Sequence, residues 1–464
     1  MNSTKGYRAF CAFSKGKSFS LIGLGVSNLP LVSFLLDAGA TKVTVRDLKK
    51  NMNDPSVIQA VKDGAEVILG EKYLWNLKEN VILRSPGIRP DIEPFLRAGE
   101  HGSEITCETE LFLRFAPCKT YAVTGSDGKT TTTTLIAKIL EASGKTVYLG
   151  GNIGKPMLPA LKEMDDTEWI SVSELSSFQL MDCAYSPDVA VITNLSENHL
   201  DWHKDMNEYL AAKKCILKWQ SKDSVAVLNF DNSYTRVCEH HGKVRYFSSA
   251  QKPNAPSVYV KNDAIFYSDE ACKREILKTS KILLPGKHNV ENYMAAIAAT
   301  LDDASQEAVQ MIAESFGGVE HRIELIRELD GVKYYNSSID SSPARSTAAL
   351  KAFDKKLVMI AGGYDKNLDY TSLGPVICDK VRTLILCGAT SEKIKNAVLQ
   401  SDTYRPGSPE IIFAPSFHET ALLAQKAARN GECVILSPAS ASFDMFKNFE
   451  ERGRLFKKLV NDLK

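Results

Sequence analysis

The sequence predicts a three-domain α/β protein: an N-terminal Rossmann-like domain, a central ATPase-like domain with a mostly parallel sheet, and a C-terminal Rossmann-like domain. Three observations carry that prediction. Short apolar runs recur along the 464 residues, most ending in Gly, Ser or Asp before a helix-like stretch, the alternation that builds parallel strands with crossover helices. A glycine turn at Gly23-Leu24-Gly25 follows the first such run, and a phosphate-loop-like turn at Thr124 to Thr131 opens a fresh series. A chain of this length also exceeds one ordinary core.

In the first series, Phe19 to Ile22 reads as a strand, Leu29 to Ala38 as a helix, and Lys42 to Val45 as a strand ending at Asp47. Asn28 stands where the dinucleotide fingerprint has its third glycine, so turn-making and ligand-binding readings of this loop stand level. Val81 to Ile88 is a strand running into a tight turn, and Ile105-Thr106-Cys107 begins another block, which places the first domain at residues 1–104. The second domain, 105–317, takes in the runs Val147 to Leu149, Trp169 to Val172, Val189 to Ile192 and Ser224 to Leu228 and ends after a helix over Asn289 to Leu301. The third, 318–464, has Val332 to Tyr335, Lys356 to Ile360, Thr383 to Cys387 and Cys433 to Leu436.

The bulk properties exclude some functions. Lys plus Arg number 57 against 56 Asp plus Glu, a balance without the field that holds nucleic acid or an anionic membrane surface. None of the ten cysteines forms a Cys-x-x-Cys pair, which suits thiols in a reducing compartment. Residues 1–17 lack the apolar core of a signal peptide and no later run approaches a membrane span, so a cytoplasmic protein is expected.

The chemistry begins at the strand Tyr121 to Val123. Gly125, Ser126, Asp127 and Gly128 form a loop whose backbone N–H groups can approach phosphates, with the helix that follows aiming its positive end at them. Lys129 can reach the outer phosphates, Thr130 can ligate magnesium, and Thr131 continues the turn into the helix. Val123 stands where the longer form of this loop has its first glycine, so the loop is a compressed variant. Glu174 ends another strand, at the edge where parallel sheets bind ligands, and is a natural magnesium ligand beside such a loop. Asn194 to His203 is a dense polar cluster past a further strand end, in which His199 is a candidate for a second magnesium, although oxygen ligands suit that ion better. Lys213 shares a helical face with Tyr209, Ile216 and Leu217; it either snorkels from an amphipathic helix, the ordinary reading, or is desolvated enough to become nucleophilic and take up carbon dioxide as a carbamate. Asn289 and Asn292, three apart on one helix face, offer amides to an adenine edge, with capping by Asn289 as the competing account.

Taken in order, these segments resemble the Mur ligase family, the ATP-dependent amino-acid-adding enzymes of bacterial peptidoglycan synthesis. The resemblance covers nearly the whole chain: Gly23, Ser85 to Ile88, the Thr124 to Thr130 loop, Gly150 to Gly154, Glu174 to Leu180, the Asn194 to His203 cluster, Ala211-Ala212-Lys213, Gly286 to Asn292, His321-Arg322 and Leu436 to Asp444. It implies ATP and Mg2+ as cofactors, with UDP-N-acetylmuramoyl-L-alanine and D-glutamate as substrates joined through an acyl phosphate, and a monomer. By the same resemblance Lys129, His199 and Lys213 are catalytic; Thr130, Glu174, His199 and a carbamylated Lys213 hold metal; and Asn289, Asn292 and Arg322 surround the nucleotide. The precursor falls to Val26, Ser27, Asp47, Leu48 and Asn152, and D-glutamate to Ser341, Lys366, Ser442 and Phe449.

One segment departs from the family. Many members read Asn-Asp-Ser-Lys-Ala-Thr where this chain reads Asn336-Ser337-Ser338-Ile339-Asp340-Ser341, so Asp340, an acid in a shifted place, is expected to substitute in part for the missing carboxylate. Competing readings are another amino-acid-adding member, a folylpolyglutamate synthase relative, and a catalytically silent nucleotide-binding regulator. The glycine turn ahead of the ATP loop disfavours the folate enzyme, and the Lys129, Thr130, Glu174, His199 and Lys213 set disfavours the silent regulator.

Overall fold

The computed structural model describes residues 4–25, 28–164, 169–197 and 202–464. The apolar runs become three sheets. The first contains β1 (Ser18–Ile22), β2 (Lys42–Asp47), β3 (Glu66–Leu69), β4 (Val81–Arg84) and β5 (Glu104–Thr106), all parallel in the order β3-β2-β1-β4-β5. Strands β1 and β4 sit centrally and bury Phe19, Leu21, Val81 and Leu83, as uninterrupted apolar runs covered on both faces must. The strand order reverses between β1 and β4, which brings their outgoing turns together: Gly23 has φ 90°, and a Cβ there would stand 3.0 Å from that of Ser85.

The second sheet has nine strands: β6 (Lys119–Thr124), β7 (Thr146–Gly151), β8 (Trp169–Glu174), β9 (Val189–Ile192), β10 (Val225–Asn229), β11 (Lys243–Ser248), β12 (Ser257–Lys261), β13 (Ala264–Ser268) and β14 (Lys273–Lys278). Its order is β14-β13-β12-β11-β10-β9-β6-β8-β7, parallel from β7 through β12 and antiparallel for the last two pairings. The strands over 257–278 carry no clear signal in the sequence. The hairpin there turns on Asn262 and Asp263, both left-handed at φ 47° and 56°, the two-residue connection that Asn and Asp tolerate.

The third sheet runs β15-β16-β20-β17-β18-β19. Its strands are β15 (Glu324–Leu329), β16 (Val332–Asn336), β17 (Leu357–Ala361), β18 (Val381–Leu386), β19 (Glu410–Phe413) and β20 (Cys433–Leu436), with only β15 antiparallel. Residues 1–281 with 290–313 form one compact unit, and 282–289 with 314–464 form a second. Within the first unit, an apolar core runs from Phe10 and Phe19 through Leu111 and Phe112 to Met157 and Leu161, tied together by the helix Lys5–Ser14. Among the described residues no helix is long and apolar enough to cross a membrane.

Candidate active site

Strand β6 lies at the switch point of the nine-stranded sheet, between β8 and β9, and three functional strand ends therefore meet. The loop Gly125 to Gly128 leaves β6, Glu174 ends β8 in register with Val123, and Thr193-Asn194 follow β9. Gly125 at φ 146° passes so close to Thr193 that a Cβ would strike its hydroxyl, and Gly128 at φ 77° leaves no room for one against Asn292. Both glycines are thus required by conformation and by space. The loop is fastened from outside: Ser126 N donates to Asn194 O at 2.8 Å, Asp127 N to Asn194 Oδ1 at 2.9 Å, and Thr193 Oγ1 to Asp127 O at 2.6 Å. The helix Lys129–Ala142 then begins directly beneath it.

Lys129 folds back over this loop, its Nζ 3.0 Å from Gly125 O and 2.8 Å from Ser126 O, with Thr131 half-buried beside it in the first turn. The buried Thr130 hydroxyl donates to Glu174 Oε2 at 2.6 Å, and Asn152 Nδ2 donates to Glu174 Oε1 at 2.8 Å. Hydroxyl and carboxylate oxygens side by side are hard donors that fit magnesium. Among the described residues no group of three or more His, Cys, Asp or Glu is placed to hold a metal ion.

Lys213 is buried rather than solvent-facing. It lies on the helix Met206–Lys218 with its side chain 2% exposed, donating to Gly125 O at 2.8 Å and Thr124 Oγ1 at 3.2 Å, with Nζ 5.0 Å from the Tyr209 ring centre. Burial, reinforced by Lys129 and opposed by Glu174 and Asp127, depresses its ammonium to about 7. It does not snorkel; the face it shares with Tyr209, Ile216 and Leu217 is the buried one. Tyr209, read only as an apolar neighbour, also reaches the loop, its hydroxyl 2.9 Å from Ser126 Oγ. A phenol at helical spacing from a lysine was the available signal.

The remaining expected residues divide. Asn292 belongs to the phosphate loop: Thr132 Oγ1 donates to its Oδ1 at 3.3 Å. Asp47 spends its carboxylate on backbone, accepting from Leu24 N at 2.6 Å and Lys49 N at 2.9 Å, and so shapes the first glycine turn while Leu48 stands exposed. His199, Val26 and Ser27 lie outside the described residues.

In the second unit, Asn289 Nδ2 donates to Pro285 O at 2.6 Å, a local bond to the backbone just ahead of the helix Lys287–Thr300. Ser442 is buried with its carbonyl accepting from Phe446 N at 2.8 Å, and Phe449 starts the helix Phe449–Asn461 with its ring centre 6.0 Å from that of His321, the two rings perpendicular. Exposed Lys366 rests its Nζ 5.3 Å from the Phe443 ring centre, and Ser341 is half-buried in the turn after β16. That turn is closed by Asp340, the displaced acid expected to substitute in part for the missing carboxylate. Its carboxylate is buried, accepts from Ser437 Oγ at 2.7 Å and is pushed up to about 6 by burial, against the pull of the Ser337 and Ser437 hydroxyls and the charges of Arg322 and Arg345. Arg452, fully buried, ties the turn to the loop after β20 through Ser338 O at 2.9 Å, Ser440 O at 3.1 Å and Ala441 O at 3.0 Å.

Known proteins with related sequences agree on one family. Residues 123–300 match the family model described as the Mur ligase middle domain. A UDP-N-acetylmuramoylalanine–D-glutamate ligase of Acetivibrio thermocellus is 47% identical over 457 residues, 97% of both chains. A protein of the same name from Clostridium beijerinckii is 45% identical over 464 residues, 99% of this chain and 100% of the relative. A solved UDP-N-acetylmuramate–alanine ligase from Thermotoga maritima superposes with a TM-score of 0.56 at 16% identity, covering 97% of this chain and all of that one, and supports the fold alone. With its phosphate loop, Glu174 and Lys213 converging on one strand edge and its full-length relatives nearly half identical, the chain belongs to the Mur ligase family of ATP-dependent amino-acid ligases of peptidoglycan synthesis.

Proposed function

We propose that the protein joins D-glutamate to UDP-N-acetylmuramoyl-L-alanine, consuming ATP and releasing ADP and phosphate. The observation that carries this reading is the full-length identity to D-glutamate ligases, 47% over 97% of the chain, together with a site in which Lys129, Thr130, Glu174 and Lys213 surround one phosphate loop. In the first step a carboxylate oxygen of the alanyl group attacks the γ-phosphorus, the bond from phosphorus to the ADP oxygen breaks, and an acyl phosphate forms. The D-glutamate amine then adds to the acyl carbon, inorganic phosphate departs, and the amine proton passes to solvent. Such chemistry is limited by positioning and charge, which is what this loop supplies.

Lys129 would leave its loop carbonyls for the transferring phosphoryl group. Thr130 and Glu174 would hold Mg2+, with Asn152 keeping the Glu174 carboxylate oriented. When bound, magnesium neutralises charge developing on the phosphoryl oxygens. Lys213, with a depressed ammonium, can lose a proton and add its lone pair to the carbon of CO2; loss of a second amine proton leaves a carbamate. That anion, with His199, would face a second magnesium. Domains 1–104, 105–317 and 318–464 would hold precursor, ATP and amino acid respectively, with Asn289, Asn292 and Arg322 about the nucleotide and Val26, Ser27, Asp47, Leu48 and Asn152 toward the precursor. Ser341, Lys366, Ser442 and Phe449 would receive D-glutamate, a cation and hydroxyls for its two carboxylates. A cytoplasmic monomer is the expected form.

The test is phosphate release from ATP with UDP-N-acetylmuramoyl-L-alanine and a panel of amino acids. Release that depends on D-glutamate supports the reading; release with another amino acid, or none, sinks it.

A further inference from the structure

Glu208 opens the helix that carries Lys213 and is the meeting point of three segments far apart in sequence. Arg89, in the turn that follows β4, donates to both of its oxygens, Nη2 to Oε1 at 2.7 Å and Nη1 to Oε2 at 2.9 Å. Lys204 N donates to Oε2 at 2.9 Å, and His203 Nδ1 lies 3.3 Å from the same oxygen. The other ring nitrogen of His203 is 2.9 Å from Ser177 Oγ, in the segment that leaves Glu174. On the helix itself the next residue, Tyr209, touches Ser126 of the phosphate loop.

Arg89 is equally constrained on its own side. It grips Asp91 through Nε and Nη2, both at 2.8 Å, donates to Trp202 O at 3.1 Å and lies over the Trp202 ring at 5.1 Å. Trp202 Nε1 returns a bond to Gly87 O at 3.1 Å, and Lys204 Nζ bonds Asp91 at 2.8 Å. An ordinary exposed ion pair contributes little, but here two fork-shaped pairings share one guanidinium, and the Arg89 and Glu208 side chains are only 20% and 19% exposed. The guanidinium holds the Glu208 carboxyl down to about 2.

We infer that Arg89 and Glu208 are positioning residues for the ligase reaction: they lock the Ser85 to Asp91 turn, which adjoins the Gly23 turn, to the Lys213 helix and the Glu174 segment, so that a precursor held beside the Gly23 turn meets an aligned phosphate loop. The inference rests on the function proposed above. It assigns no bond to substrate; both residues act through what they hold, Arg89 through Trp202 and Glu208 through His203 and the helix start.

The experiment is steady-state phosphate release by the full chain, with each substrate varied in turn, for Arg89→Ala, Arg89→Lys, Glu208→Gln and the Arg89→Ala/Glu208→Gln double variant. Arg89→Ala and Glu208→Gln should each lower kcat and raise the KM for the sugar nucleotide, together by about tenfold or more, while the KM for D-glutamate stays within about twofold. The double variant should be little worse than either single one, and Arg89→Lys should recover part of the loss, because the two residues form one interaction. Folded variants that keep wild-type kcat and sugar-nucleotide KM, or losses that simply multiply in the double variant, overturn it. Should Arg89→Ala not fold, Arg89→Lys and Glu208→Gln carry the same comparison. Failure of the ligase reading shows in the wild type, failure of this inference only in the variants.

Discussion

Lys213 Nζ and the carbonyl oxygen of Gly125 lie 2.8 Å apart, so the most deeply buried cation of the site is bonded to the backbone of the loop that would hold phosphate. Its ammonium falls from 10.5 to about 7 because burial disfavours charge and Lys129 stands nearby. At neutral pH much of it is therefore a free amine, the form that adds to CO2. Ligase activity in CO2-depleted buffer should rise on adding bicarbonate, and the bicarbonate needed for half-maximal activity should increase as pH falls from 8 to 6. Activity indifferent to bicarbonate across that range tells against a carbamate.

The same depression predicts a stability profile. Between pH 7 and 10.5 the unfolded chain binds a proton at residue 213 that the folded chain does not, so this lysine's penalty is complete below pH 7 and vanishes by pH 10.5. The full difference corresponds to roughly 5 kcal/mol. Lys213→Met should raise the urea midpoint relative to wild type at pH 6.5 in CO2-free buffer and lose that advantage by pH 10, while abolishing ligase activity. An advantage that does not shrink with pH contradicts the assignment.

Glu174 meets Thr130 at 2.6 Å and Asn152 at 2.8 Å, one oxygen to each. Glu174→Gln keeps the shape and removes the charge. The Mg2+ concentration required for half-maximal activity should increase by about tenfold or more with little change in thermal midpoint. A magnesium titration that overlays on wild type would falsify a metal role for this carboxylate.

Gly125 cannot accept a side chain, since its φ of 146° is hostile to one and Thr193 occupies the space. Gly125→Ala should cost about 1 to 3 kcal/mol of strain and displace the loop. ATP-analogue binding by calorimetry should weaken at least about tenfold, and adding Thr193→Ala, which vacates the space but not the strain, should restore only part.

How far the sequence reveals this site depends on distance along the chain. The strand ends at Thr124, Glu174 and Ile192 were legible because a parallel strand buried on both faces is a bare apolar run and its last polar residue marks the ligand edge. Lys213 was ambiguous because helical spacing puts it on the face of Tyr209 and Ile216 without saying how deep that face lies. The Arg89 to Glu208 pairing, 119 residues apart, has no local signature at all. Nor does the edge strand β14 beside the Asn262-Asp263 hairpin stand out, since it alternates poorly and leaves Lys273, Arg274 and Glu275 exposed.

Asp340 carries the prediction that separates this chain from relatives with the common segment. Burial lifts its carboxyl to about 6, so the folded chain holds a proton between pH 3.8 and 6 that the unfolded chain has lost. Its contribution is fully favourable below 3.8 and is lost as pH rises through 6, leaving a cost of roughly 3 kcal/mol at neutral pH. Asp340→Asn preserves shape and the acceptor for Ser437 Oγ, so it should stabilise the fold at pH 7.5 relative to wild type and give no such gain at pH 4. As the expected stand-in for the missing carboxylate, Asp340 should be missed by the nucleotide as well, so the same variant should raise the KM for ATP severalfold. Greater stability at pH 7.5 with an unaltered ATP KM would leave Asp340 a buried acid of the turn and nothing more.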